Sequence, residues 1–143
     1  MPQVNKHALV PYSAQQMFNL VNDVNEYQNF LPGCRKSDVL KQSDDFMQAR
    51  MVLAKAGIEQ TLITENALVP GKSIQMSLSE GPFKSLSGGW TFTPLSDEAC
   101  KIELNLHFKF ASKLVDMAFG KVFRGLTNNM VKAFSQRAKE VYK

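Results

Sequence analysis

The chain is poor in the side chains that hold metals: among 143 residues it has only two cysteines and two histidines. Cys34 and Cys100 cannot fill a four-ligand zinc site, and His7 and His107 fall into no metal-ligand spacing. Structural zinc is excluded on that arithmetic. No run approaches the roughly 20 apolar residues of a membrane span, and the opening MPQVNKHALV lacks the apolar core of a secretory signal. The expected compartment is therefore the cytoplasm, with both thiols reduced. Apolar residues at 44% and charged residues at 21% match soluble globular proteins and argue against long disorder. Residues 1–143 are expected to form one domain, which at this size buries roughly 70% of its unfolded surface and needs no covalent staple.

What the chain does have is unevenly distributed. Lys113, Lys121, Arg124, Lys132, Arg137, Lys139 and Lys143 face only Asp116 and Glu140 over residues 113–143. All of the net charge of +4 therefore comes from the last fifth of the chain. Such an asymmetry points to a polyanionic partner.

Apolar periodicity divides the chain into three parts. Val4, Ala8 and Val10 share one parity and predict a first strand over Gln3 to Val10. Ser13 and Gln16 form a capping box, Tyr12 and Met17 a hydrophobic staple, and Met17, Leu20, Val21 and Val24 recur at helical spacing. Asp23 with Glu26 predicts the cap of a second short helix carrying Tyr27, Phe30 and Leu31, stopped by Pro32 and Gly33. From there to Phe110 the period is two. Met47, Ala49, Met51 and Leu53 alternate up to a turn at Ala56-Gly57, and Ile58 and Leu62 begin the next strand. Pro70-Gly71 occupies the centre of a type II turn before Ile74, Met76 and Leu78. Leu86, Trp90 and Phe92 follow, with Pro94 expected to close their strand, and Gly88-Gly89 marks a bulge or a close helix approach. Cys100, Ile102, Leu104, Leu106, Phe108 and Phe110 make the clearest alternation. Short turns between strands imply an antiparallel meander. The last 31 residues are helical, with Val115, Phe119, Val122, Phe123, Leu126, Met130, Ala133, Phe134 and Val141 on one arc and the bases, Arg137 excepted, on the other. A helix of about 30 residues is about 45 Å long and can cross a whole sheet. The layout is α+β, a curved antiparallel sheet gripping one long terminal helix.

Tests for chemistry fail one by one. Gly71-Lys72-Ser73 lacks the first glycine of a phosphate loop, Asn66 standing in its place, and leads into a strand where that loop opens a helix. His7 and His107 sit on the outward parity of their strands, and Cys100 on an inward one where a thiol is inert. No nucleophile has a base beside it, so no catalytic residue is assigned and the chain is read as a binding protein. Ten phenylalanines and seven methionines supply adaptable packing material instead. Gly120 and Gly125, each costing about 1 kcal/mol inside a helix, point to close packing or a flexible gate.

Three stretches carry a resemblance. VNEYQNFLPGC (Val24 to Cys34), GPFK (Gly81 to Lys84) with GGWTF (Gly88 to Phe92), and MAFGKVF (Met117 to Phe123) with MVKAF (Met130 to Phe134) resemble the motifs of the coenzyme-Q-binding START-domain family of polyketide cyclases and lipid transporters. LVPYSA near the start and RAKEVY at the end most resemble the bacterial branch whose members associate with ribosomes as toxins. Gly33, where many quinone binders carry Trp, fits that branch too. The resemblance implies a helix-grip fold with a cavity between sheet and helix and two short helices after the first strand. It implies binding to the large ribosomal subunit, through ribosomal RNA or protein, that blocks subunit joining. It also implies a possible ubiquinone or other isoprenoid or lipid ligand, with no obligatory cofactor and no DNA partner. Parity and helix arc place Met47, Met51, Leu53, Met76, Leu78, Trp90, Phe92, Leu104, Leu106, Phe119, Phe123 and Met130 inside; with Phe30 and Leu31 of the first motif they are the expected lining of the cavity. Lys121, Arg124, Lys132 and Lys139 lie within about 80° on the helical wheel and are the expected ribosome contact. Membrane insertion is not expected, because the apolar arc is committed to the sheet. Three classes of function stand open: a ribosome-binding inhibitor of subunit association, a quinone or lipid carrier, and a cyclase.

Overall fold

A computed structural model describes residues 3–142; Lys143 lies outside them. The chain runs β1 (Gln3–Val10), α1 (Ala14–Asn22), a 3-10 turn (Val24–Glu26), α2 (Tyr27–Phe30), β2 (Cys34–Gln42), β3 (Phe46–Lys55), β4 (Ile58–Val69), β5 (Ser73–Glu80), β6 (Phe83–Ser96), β7 (Ala99–Phe110) and α3 (Lys113–Val141). The seven strands form one sheet in the order β1-β7-β6-β5-β4-β3-β2, with every neighbouring pair antiparallel. β1 and β2 are thus opposite edges, and α1 and α2 carry the chain from one to the other. Helix α3 touches β1 and β7 near one edge and β3 and β4 near the other, so the sheet curls around it. This is the helix-grip arrangement.

The expected local chemistry accounts for most of these elements. Ser13 Oγ accepts from Gln16 N–H at 3.1 Å while the Gln16 side chain accepts from Ser13 N–H at 2.9 Å, closing the capping box of α1. Ser112 Oγ caps α3 by accepting from Val115 N–H at 3.2 Å. Gly71 has φ +74° and Lys72 N–H donates to the Val69 carbonyl at 2.9 Å, as the Pro-Gly turn requires. All six inward side chains of β7 are buried, and each contributes about 1.5–3 kcal/mol relative to exposure. Phe119 and Phe123 of α3 meet Phe83, Phe108 and Phe110 in an aromatic cluster with ring centroids 4.9–6.5 Å apart.

Four expectations need correction. Asp23 makes no side-chain cap; its N–H bonds to the Leu20 carbonyl at 3.3 Å, so the residue ends α1 and leaves no extended N-cap before the 3-10 turn. Pro94 does not close β6, which continues to Ser96. Phe92 N–H points to the Lys72 carbonyl at 2.8 Å, so two residues on Pro94 faces the side where β5 has already ended, and its missing N–H leaves no gap in a ladder. Gly88-Gly89 marks no bulge, because both flanking ladders run through it without a register shift. The close approach there is by strands: a β-carbon on Gly88 would lie 2.0 Å from the Asn105 carbonyl oxygen, and one on Gly89 1.9 Å from that of Ile74. At the far end of the apolar arc of α3, Val141 is exposed, since the helix there has run past the core.

Candidate functional site

Three features converge on α3: an internal cavity, a surface groove and a basic outer face. The cavity lies between sheet and helix and has a volume of about 30 Å³, room for one or two waters. Met51, Met76, Trp90 and Met130 line it, joined by Ile74, Val24 and three polar side chains that the apolar pattern does not register. Thr64 Oγ1 donates to Asn66 Oδ1 at 2.9 Å, both buried on the inner face of β4. Asn22 Oδ1 is buried at the end of α1 with no hydrogen-bond partner among the described residues. A water in the cavity would satisfy it. Of the other expected lining residues, Leu31, Met47, Leu53, Phe92, Leu104, Leu106, Phe119 and Phe123 are buried in the surrounding core rather than on the cavity wall, and Leu78 is half-buried.

Phe30 belongs instead to the surface groove, which holds about 530 Å³ between the α2–β2 loop and the last turns of α3. Arg137 lies over its ring, with the guanidinium carbon 5.0 Å from the centroid. This is the base that breaks the apolar arc of the wheel, and the aromatic ring explains its place. Arg137 Nη2 is 3.4 Å from Glu26 and Nη1 3.4 Å from Glu140, while Nε is buried without an acceptor among the described residues. Behind the groove, Phe134 meets Phe30, Tyr27 and Trp90 edge-on at 5.2, 5.1 and 5.3 Å. Phe134 therefore links the ring that lines the groove to two rings that line the cavity. Tyr27 donates its hydroxyl to the Val21 carbonyl, and burial raises its pKa.

On the outer face, Lys121, Lys132 and Lys139 are exposed and enter no ion pair among the described residues. Arg124 differs. Its Nη2 is 2.7 Å from Asp116 Oδ1, two helical turns back, and its guanidinium lies 5.4 Å from the Phe110 ring centroid. Gly120 makes that bridge feasible, since a β-carbon there would sit 2.3 Å from Asp116 Oδ1 and 2.6 Å from Arg124 Nη1. Gly125 has nothing within 4 Å of such a carbon, so no close packing explains it. Leu114 and Met117, outside the expected arc, are 75% and 81% exposed, so the outer face is not wholly polar at its start.

The side chains tested for reactivity are placed without partners for it. His7 and His107 are exposed on the sheet's outer face. Burial pushes the Cys34 thiol up to about 11, and burial also raises Cys100. Among the described residues no three His, Cys, Asp or Glu side chains are grouped to hold a metal ion, and no helix is long and apolar enough to cross a membrane.

A seven-stranded sheet closed around a terminal helix, with a cavity between them, is the architecture of the polyketide cyclase / dehydrase and lipid transport family, and the chain belongs to it: the family model matches residues 10–135. Within that family it is 58% identical over 142 residues, 99% of both chains, to the ribosome association toxin RatA of Vibrio cholerae. It is 28% identical to the mitochondrial coenzyme Q-binding protein COQ10 of Drosophila melanogaster, matching 94% of this chain and 57% of that one. The same fold is found in the Zhui aromatase/cyclase of Streptomyces sp. R1128, with a TM-score of 0.84 at 18% identity over 99% of this chain and 96% of that one.

Proposed function

We propose that this protein is a ribosome-association toxin that binds the large ribosomal subunit in the cytoplasm and blocks its joining with the small one. The observation that carries the reading is the 58% identity, end to end, to a protein named for ribosome association. Lys121, Lys132 and Lys139 support it. They span 18 residues of one helix face, about 27 Å, over which an RNA backbone offers several phosphates. The action is binding rather than catalysis: the thiols are held protonated by burial, and both histidines lie outside the cavity. Sedimentation of the purified protein with isolated subunits tests the reading. It is expected to travel with large subunits and to lower the yield of joined ribosomes; joining at normal yield in excess protein would refute it.

A second reading, an isoprenoid quinone or other lipid held inside, is supported by three methionines and a tryptophan converging on one cavity with an unpartnered amide oxygen. Thioether side chains have the torsional freedom to withdraw from that space.

A further inference from the structure

We propose that the groove between the α2–β2 loop and the last turns of α3 is a slot for one unpaired nucleotide of RNA, its base laid on the Arg137 guanidinium. The proposal deepens the ribosome reading and rests on it. At about 530 Å³ the groove falls within the size range of small-ligand sites, about 300–1,000 Å³. Its floor is a built stacking platform: Arg137 covers one face of Phe30, and Phe134 braces Phe30 edge-on from behind at 5.2 Å. Unstacked RNA bases are bound on arginine planes of this kind. The guanidinium retains hydrogen-bonding capacity at Nη1 and Nη2, since both of its carboxylate contacts are long, 3.4 Å.

The rim has the chemistry of a nucleotide and a polarity to match. Asn129 donates its amide to the Gly125 carbonyl at 2.9 Å, which leaves its own oxygen free. With Gln136 it presents both donors and acceptors to a base edge. Lys132 stands at one side of the groove and enters no ion pair among the described residues, while Glu140 stands at the other. A phosphate is therefore drawn to the Lys132 side and repelled from the Glu140 side, which fixes the strand's course. Lys132 also belongs to the exposed lysine row, so a strand seated here continues along α3.

Two variants with one control decide the matter. Arg137→Lys keeps the charge but removes the planar face; Gln136→Ala is exposed and leaves the fold untouched; Lys55→Gln changes the charge on a distant hairpin. Each is titrated with a fluorescein-labelled single-stranded RNA 12-mer, and separately with large subunits whose RNA bases are probed chemically. One stacked base is worth about a fivefold change in affinity at the low end. Arg137→Lys is expected to lose about that much for both probes and Gln136→Ala a smaller amount, with Lys55→Gln unchanged and one subunit base losing its protection. Wild-type affinity of Arg137→Lys and Gln136→Ala for the 12-mer overturns the slot whatever the ribosome result. Subunit binding with no RNA base protected overturns it too, while leaving the ribosome reading in place. Binding of the 12-mer through Arg137 without any subunit binding would instead remove the ribosome reading alone.

Discussion

Replacing Lys121, Lys132 and Lys139 together by glutamine removes three free charges from the outer helix face without touching the core. All three side chains are exposed and unpaired among the described residues, so the fold loses little; only Lys139, in the last turn, gives up a favourable interaction with the helix end. Binding loses much more. If each lysine neutralises one phosphate, the wild-type log–log salt slope exceeds the variant's by about 2 to 3, roughly 30-fold in affinity between about 50 and 200 mM salt. Co-sedimentation with large subunits across that salt range measures both slopes, and circular dichroism with thermal unfolding checks the fold. Arg124→Gln serves as the internal comparison. Its charge already faces Asp116 and lies against Phe110, so its removal is expected to change the slope by much less than one lysine's share. A triple variant with the wild-type slope would refute the reasoning and move the contact off this helix face.

The glycines separate sharply by environment. Gly88→Ala and Gly89→Ala drive a β-carbon into the backbone of a neighbouring strand, and overpacking plus broken ladder bonds should cost about 3 kcal/mol or more in urea unfolding. Gly125→Ala, in open space on the same helix as the lysines, should stabilise by about 1 kcal/mol; a loss of stability there would show that the exposed site is packed in solution. Cys34, with its pKa pushed up to about 11, and fully buried Cys100 should resist iodoacetamide at pH 8 in the native protein and react once urea unfolds it. Modification of either at a free thiol's rate would contradict their placement. Mass spectrometry of a solvent extract from the purified protein tests the interior: a co-purifying isoprenoid near one per chain supports a lipid ligand, and extracts without one, from cells rich in quinone, speak against it.

Much of the fold was legible because the apolar alternation is strong in the strands that build the core. In β7 every second side chain is apolar and buried, and that strand is paired on both sides, by β1 and β6. β2 escaped notice for the opposite reason. It is an edge strand with only Cys34 and Ser37 buried, and two register shifts, after Cys34 and after Val39, break its alternation. The inward polar pair was legible in principle. Leu62, Thr64, Asn66 and Leu68 share one parity in β4, and polar residues on an inward parity are what mark a cavity wall in a strand. Asn22 offered no such signal, because it closes a helix whose apolar stripe is already complete without it.

A helical wheel sorts α3 into an apolar and a basic arc, yet it cannot tell a free charge from a spent one. Arg124 and Lys121 fall on the same arc, but only the arginine reaches Asp116, across the notch that Gly120 leaves two turns long. That pairing lies along the helix axis, a direction the wheel collapses. Arg137 fails the wheel in the other sense: it projects into the apolar arc because Phe30, at the end of α2 and more than 100 positions earlier, supplies an aromatic face to lie on. Both arginines are positioned by rings, Phe110 for one and Phe30 for the other, Arg124 near the first lysine of the row and Arg137 near the last. The guanidinium at the Phe110 end is held by a carboxylate at 2.7 Å, whereas the one at the Phe30 end has only 3.4 Å contacts. On the proposed RNA reading, an anionic strand running along Lys121, Lys132 and Lys139 meets a closed ion pair at the start of α3 and a more loosely paired guanidinium near its end, so the charge asymmetry of the sequence would set a direction of approach.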